Sequence, residues 1–552
     1  MTYSVSFARS MVVAVAAFYG MLFTHSPAPF FGAVRQALAA SATSTPRRGG
    51  VLVRTQWAPP RSLDYCRDAN AFGVEAMIAI YEGLVSFDYK PGEDFRRELK
   101  VVPYLAERWE QPDENTYIFH LRKGVKWHDG KSLTADDVVF SLNHIRDQKN
   151  ACVKRGNLAG VKSIEKVDAM TVKLTTDGPM APLLESLAQR ETAIFPKHVY
   201  DTGQLFKGVS GTVGTGPMRL KSFDRNEKIV YTAFEDYWKG RPHLDGIVAY
   251  FVPEPQSRLA GFVVKRSDIL TVSDKAQYEA AVTQSRSAAG EGFPTTHGFA
   301  VYMRVDRPPF NDVRVRRAIH LALNRQDMVK ALAFGLGKIN PPGVSAVSAW
   351  AMPEEELLKL PGYRLPKDKD MADAKRLLKE AGYGDGLAFS IQAVSVWDNP
   401  RIAEVTARQL KEAGITVRLD FIEAGQYFAN QSKGDFQAQL NGMSSDSIDA
   451  SLHQYYYSKG GGNAAHIADT ELDRLIELQR RTLDREKRYK VLRQIQEYLL
   501  DKMYVVPTIE LGFYWITHPY VHNLANSRST TVMLYRAADI WLDDRTPKRT
   551  LP

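Results

Sequence analysis

Several side chains are spaced in ways that could support chemistry. Asp446 and Asp449 stand three apart in Asn441-Gly442-Met443-Ser444-Ser445-Asp446-Ser447-Ile448-Asp449-Ala450, with Glu423 upstream. Brought together, the three would resemble a glycosidase carboxylate set. Trp397-Asp398-Asn399-Pro400-Arg401 falls between a predicted strand and the next predicted helix. That is the carboxyl end of a strand, where open α/β sheets bind ligands. Arg401 there can fork onto a carboxylate or serve as an ordinary helix-start surface residue. Trp397 can be a stacking wall or core. His518 and His522 are four apart, but Pro519 between them argues against one helical face, so no metal pair is expected. Gly208, Gly211, Gly214 and Gly216 read as turns, because no Lys-Ser/Thr follows as a phosphate loop requires. HExxH, GxSxG and P-loop patterns are absent, so no catalytic constellation stands in the sequence. Cys66 and Cys152 lack the CxxC spacing of redox or zinc sites. They are either two buried thiols or a disulfide closing a loop of 86 residues.

The elements that must position these groups follow from local patterns. Val51-Leu52-Val53 opens the first strand, and Tyr117–Leu121 is a strand after the turn Pro112–Asn115. Thr134 is an N-cap with acids in the first turn of an apolar-periodic helix. Residues 164–176 form a strand pair. Asn311 and Asp312 open a helix with Val315, Ile319, Ala322 and Leu323 on one face. Leu378-Lys379-Glu380-Ala381-Gly382 recurs as Leu410-Lys411-Glu412-Ala413-Gly414. Each copy ends a helix with Gly in the left-handed cap position and leads on to a strand, Leu387–Val394 or Ile415–Ile422. Strand, helix, strand is a βαβ unit with parallel strands. From Thr470, with Asp473 as capping-box acid, one long helix is predicted to about Leu500. Two strands, Val505–Ile509 and Phe513–Ile516, follow. Regions rich in β-strands alternate with α/β regions, which suggests lobes that the chain enters more than once.

Composition narrows the class. With 552 residues, 44% apolar and 24% charged, the chain is globular in type and long enough for three to four domain-sized units. The +9 charge is spread along the sequence, without the clustered stripe of a nucleic-acid binder. Met11–Phe23 is too short to span a bilayer but suits the apolar core of a secretory signal, and Ala37-Leu38-Ala39 supplies a small-x-small cleavage pattern. The stretch Thr24–Gln36 is long for a spacer, so the start could be Met11 or the cleavage earlier. Removal of residues 1–39 takes away Arg9 and Arg35 and no acid, leaving +7. No cysteine sits near the cleavage site, so a lipid anchor is not expected. Export makes the pairing of Cys66 with Cys152 more favourable than it would be in the cytosol.

An ordered set of segments carries a family resemblance. YEGLV (81–85), LAERW (105–109), YIFHLRKGVKWHDGK (117–131) and TADDVVFSLNHIRD (134–147) come first. GTGPMRL (214–220), EDYWKGRPHLDGI (235–247), FNDVRVRRAIHLALNRQDMV (310–329), AKRLLKEAGY (374–383) and VPTIELG (506–512) follow in the same order. Together they resemble the family 5 extracellular solute-binding proteins, the peptide- and nickel-type receptors of ABC importers. The resemblance implies an α/β, two-lobed periplasmic binding protein fold, type II-like, cluster C, with an extra β-rich subdomain. The implied layout is signal peptide 1–39, first lobe 50–81, 214–292 and 506–546, extra subdomain 82–213, and second lobe 293–505. It implies a periplasmic monomer that closes on a small, peptide-like solute and delivers it to an inner-membrane ABC permease. Nucleic acid, cofactor, metal and catalysis have no part in this reading.

The resemblance also implies site residues. Asp446 takes the place of the aspartate that salt-bridges a peptide amino terminus in the family's W-x-x-D-x-x-D-P segment. Met443 replaces the Trp and Ala450 the Pro, so the first side-chain pocket differs in shape. A carboxylate enclosed by lobe closure is costly unless a cation meets it, and an ammonium group would serve. Asp446 could equally cap a turn or pair with an internal Arg. Arg401, Trp397 and Asn441 are further ligand candidates. Trp57 and Asn70 fall where ligand-facing loops of the first lobe are expected. Tyr455, first of the run Tyr455-Tyr456-Tyr457, follows Asp446 closely enough to share its lobe. The altered Met443 leaves room for a metal chelate, an opine-like conjugate or an oligosaccharide as ligand. A hydrolase or a chaperone-like role on the same scaffold are the remaining alternatives.

Overall fold

The computed structural model describes residues 45–68, 71–89, 99–285, 288–443, 447–524 and 533–552. The expected signal peptide, Asn70 and Asp446 lie outside them.

The chain forms a mixed eleven-stranded sheet among the described residues, together with smaller sheets. β1 (Val51–Gln56) begins it. β2 (Val85–Phe87) and β3 (Val101–Pro103) pair by themselves. β4 (Ala106–Asp113), β5 (Thr116–Leu121), β6 (Val161–Asp168) and β7 (Thr171–Thr176) make a separate four-stranded antiparallel sheet in the order β4-β5-β7-β6. β5 alternates buried with half-buried residues, as a strand with one face on a core should. The helix Ala135–Arg146 packs on this sheet and starts as expected, with Thr134 and Asp137 in a reciprocal capping box.

The remaining strands build the main sheet. β8 (Met218–Asp224), β9 (Lys228–Ala233), β10 (Gly246–Phe251) and β11 (Ile269–Val272) join β1. β1 and β10 run parallel, so Gln56 and Phe251 end at one edge. β12 (Ala289–Met303) follows, then the short β13 (Lys338–Ile339). β14 (Leu387–Val394), β15 (Ile415–Ile422) and β16 (Ala438–Met443) form the second half, and β17 (Val505–Thr517) returns through the middle. The near-repeat is a βαβ unit: β14 and β15 are parallel in register from Leu387↔Ile415 to Val394↔Ile422. Gly382 and Gly414 have φ of 90° and 83°, which a side chain would resist.

Two expectations need correction. The stretch from Thr470 is two helices, Thr470–Arg481 and Arg485–Lys502, because Asp484 caps the second and breaks the first. Asp469 is the N-cap of the first helix, and Asp473 instead accepts the Ser458 N–H at 2.8 Å. The two C-terminal strands are one, β17, buried over twelve of its thirteen residues.

β12 and β17 join the two halves of the sheet. The first part of β12, Ala289–Pro294, pairs with Gly512–Thr517, and the same part of β17 pairs with β11. The second part, Gly298–Met303, pairs with β16 on one side and with Val505–Glu510 on the other. Between Pro294 and Gly298 the register shifts. Proline there has no N–H to donate. The Thr295 hydroxyl donates to Leu511 O at 2.9 Å and accepts from His297 N at 3.1 Å, replacing ladder bonds across the irregularity. A disulfide joins Cys66 to Cys152, with Cα atoms 4.7 Å apart. It ties the loop after β1 to the loop ahead of β6.

Candidate functional site: the cleft between two strand edges

The parallel strands of both halves end toward the β12–β17 crossing, and the loops beyond them carry the candidate residues. On the first side, β1 runs into Trp57. Its ring lies 6.1 Å from Phe513 of β17. After β10 comes the helix Pro255–Val263, opened by proline in its first turn. Arg258 of that helix lays its guanidinium over Trp57, with Cζ 4.9 Å from the ring centroid. Burial pulls the Arg258 pKa down to about 10, opposed by Glu254.

At the crossing, His297 packs 4.8 Å from Phe299 and 6.5 Å from Phe513, edge to face. Burial holds its imidazole below the ordinary histidine pKa and therefore neutral near pH 7, while Asp398 pulls the other way. Gly442 lies against the same ring: a Cβ there would sit 3.2 Å from it. Asn441 pairs with Ala300 and Met443 with Gly298. β16 thus ends beside His297, three residues short of Asp446. Ser447 then caps the helix Ile448–Tyr455.

On the second side, β14 runs into Trp397 and the helix Asn399–Glu412, again opened by proline in its first turn. Trp397 has a positive φ of 62° and is 41% exposed, and its ring lies 5.9 Å from Phe72 of the first side. A non-glycine residue at such a φ stores backbone strain, a feature that clusters at ligand sites. Arg401 pairs with Asp398 within its own turn and reaches Asp274 across the cleft at 3.4 Å. Ser273 donates to Asp398 at 3.2 Å, and Arg61 lies 5.2 Å over Phe428. These four contacts draw the two edges together.

Of the three acids imagined as a set from sequence, Asp446 lies outside the described residues and the other two are engaged by their own neighbours. Glu423 caps its own helix by accepting from Gly425 and Gln426 N–H, and those bonds lower its pKa. Asp449 is buried and meets Arg480 at 3.1 Å and Gln479 at 2.6 Å. Its role is internal charge pairing. His518 stacks on Phe262, whereas His522 pairs with Asp543 at 2.9 Å. Tyr455 is half-buried against Tyr302, with rings 6.4 Å apart. Burial raises its pKa, with Lys154 and Glu191 as its charged neighbours. Trp57 thus stands at the first side of the crossing, and Trp397 and Arg401 at the second, where they touch Phe72 and Asp274 of the first.

Arg258, Asp274, His297 and Phe513 were not singled out from sequence. For Arg258 a signal existed: a strand, then a proline-started helix, the same pattern that flagged Arg401.

Comparison with known proteins bears on the family and the fold. Residues 100–465 match the model for bacterial extracellular solute-binding proteins, family 5 middle. The dipeptide-binding protein of Escherichia coli (strain K12) is 29% identical over 489 residues, covering 80% of this chain and 88% of that protein. Heme-binding protein A of Haemophilus influenzae is 29% identical over 470 residues, covering 79% and 82%. Among solved structures, the periplasmic binding protein DppA from Helicobacter pylori in complex with the peptide STSA superposes with a TM-score of 0.78. It is 23% identical and covers 90% of this chain and 98% of its own.

Proposed function

Because the chain belongs to the family 5 bacterial extracellular solute-binding proteins, we propose that it is the periplasmic receptor of an ABC importer for a short peptide or similar amine-bearing solute. It captures the solute by lobe closure, hands it to an inner-membrane permease, and carries out no turnover. The observation that carries this reading is the β12–β17 crossing, two continuous strands joining lobes whose parallel strands end in facing loops. Such a pair of strands can flex as a hinge while each lobe stays rigid. The dipeptide-binding relative points the ligand class the same way. In this reading the lobes change within β12 near 292–293 and at the start of β17, and residues 82–213 are the extra subdomain.

Asp446 meets the ligand ammonium, and Asn441, Met443, Asn70, Trp57, Trp397 and Tyr455 line the ligand. Closure expels water, which strengthens each polar contact inside. A ligand carboxylate reaches Arg401 only by displacing Asp274. The protein acts as a monomer, exported by residues 1–39 and without a lipid anchor.

Calorimetry with short peptides, followed by small-angle scattering of the same mixtures, tests this. Saturable binding with compaction and no new peptide product is expected. Release of cleaved peptide would instead identify a hydrolase.

A further inference from the structure

Arg258 differs from every other buried arginine among the described residues. Arg54, Arg304, Arg480 and Arg488 each pair with an acid: Glu75, Asp306, Asp449 and Glu185. Arg316 and Arg325 lack one, but Nε, Nη1 and Nη2 of each already have acceptors. Arg258 is 5% exposed and has no ion pair. Its Nη1 donates to Val252 O at 2.8 Å and Pro253 O at 2.6 Å. Its Nε is sealed from solvent and has no acceptor. No described residue accepts from Nη2 either, and that atom is not sealed.

Nη2 is thus the guanidinium nitrogen that is neither sealed nor provided with an acceptor, and a guanidinium N–H to a carboxylate is a strong, charge-assisted hydrogen bond. The opposite nitrogen is fixed by two carbonyls, and Trp57 supports the plane from one face. Rotation is blocked, so little side-chain entropy remains to be lost on binding. A buried cation without an anion is costly, and a bound anion removes that cost. The site lies at the carboxyl edge of β1 and β10, on the wall that continues through Phe513 and His297 to the end of β16.

We propose that Nη2 of Arg258, backed by Trp57, binds a carboxylate of the solute. Resting on the receptor reading above, this makes the ligand zwitterionic: its amine is met from the second lobe and its carboxylate from the first. Arg401, already shared by Asp398 and Asp274, then holds the lobes together and does not bind the ligand's acid.

The test compares tri-alanine with tri-alanine amide by calorimetry on the whole protein. The free acid should bind about 30-fold tighter, the scale of one enclosed charge pair. That preference should survive in R401Q and shrink to about threefold in R258K, whose ammonium can still reach both carbonyls but leaves no donor at the Nη2 position. Equal affinity for acid and amide in the unmodified protein overturns the proposal without any variant. So does a preference kept by R258K and lost by R401Q. If neither peptide binds, the peptide reading falls and thermal unfolding in acetate against chloride at equal ionic strength decides the anion site. A higher Tm in acetate that is lost in R258K supports it, and no difference overturns it.

Discussion

The two lobes place an arginine by the same local rule and leave it in opposite electrostatic states. In each lobe a strand of a parallel pair ends, and a helix with proline in its first turn begins. An arginine follows within the first four helical residues, Arg258 in one lobe and Arg401 in the other. Arg401 is 38% exposed at its side chain and meets two carboxylates. Arg258 is buried and, among the described residues, pairs with no carboxylate, only with two carbonyls and an indole face. A half-exposed arginine with partners has little to gain from a ligand. A buried arginine with one open nitrogen lacking an acceptor has much to gain. The same sequence pattern therefore does different work according to what tertiary packing brings beside it.

The strongest challenge to this contrast is to break a balanced charge and watch where the loss appears. Arg480→Met leaves Asp449 buried with only Gln479, and should cost about 3–5 kcal/mol in denaturant unfolding. Arg258→Met strands no acid. Its loss should be smaller, about 1–3 kcal/mol from two abandoned carbonyls, with the larger effect falling on ligand affinity. If Arg258→Met unfolds the protein as readily as Arg480→Met, Arg258 is structural.

Asp446→Asn should weaken tri-alanine by about 2–4 kcal/mol in calorimetry while leaving its acid-over-amide preference intact. Unchanged affinity would remove the amine anchor and with it the two-ended picture of the ligand.

Glu510 sharpens the comparison at the β12–β17 crossing. Its carboxyl is buried, accepts from Ala346 N–H at 2.9 Å, and leaves Oε2 without a donor. Burial raises its pKa to about 8. The folded protein holds this proton up to about pH 8, whereas the unfolded chain releases it near the ordinary carboxyl pKa. Stability should therefore fall as pH rises from about 4.5 through 8. Glu510→Gln should flatten that fall and gain about 2 kcal/mol over the unmodified protein at pH 9 in parallel urea titrations. A variant equally sensitive to pH would show that the group titrates normally.

The smallest effect belongs to Arg401→Gln. Its pairs are partly exposed, so stability should change by about 0.2–1 kcal/mol and the difference should vanish in high salt. A larger change that persists in salt would mean that Arg401 is as buried in function as Arg258.

Local pattern carried far in this molecule where chemistry is local. Thr134 with Asp137 specified a helix start, and Gly382 and Gly414 specified two helix ends and so a parallel βαβ unit. The ordered segments specified the family. Pattern failed where a distant residue decides. The break at 482–484 was hidden because Leu475, Ile476, Leu492 and Ile495 keep an apolar period across it, and they pack in one core from two helices. The continuous β17 was read as two strands because Glu510 to Gly512 breaks the apolar run, yet Thr295 and Asn340 sit beside that stretch and complete it.

By itself, then, the sequence determined the receptor family, the α/β layout and the strand-to-helix junction that carries Trp397 and Arg401. It could do so because caps, turns and periodicity depend on neighbours within a few residues. Only the tertiary structure decided which of those residues are spoken for. Asp274 reaches Arg401 from 127 positions away and Arg480 neutralises Asp449, while among the described residues no acid forms an ion pair with Arg258 and Glu254 acts on it by charge alone. Charge balance in a buried site is set by approach in space, and spacing along the chain does not encode it.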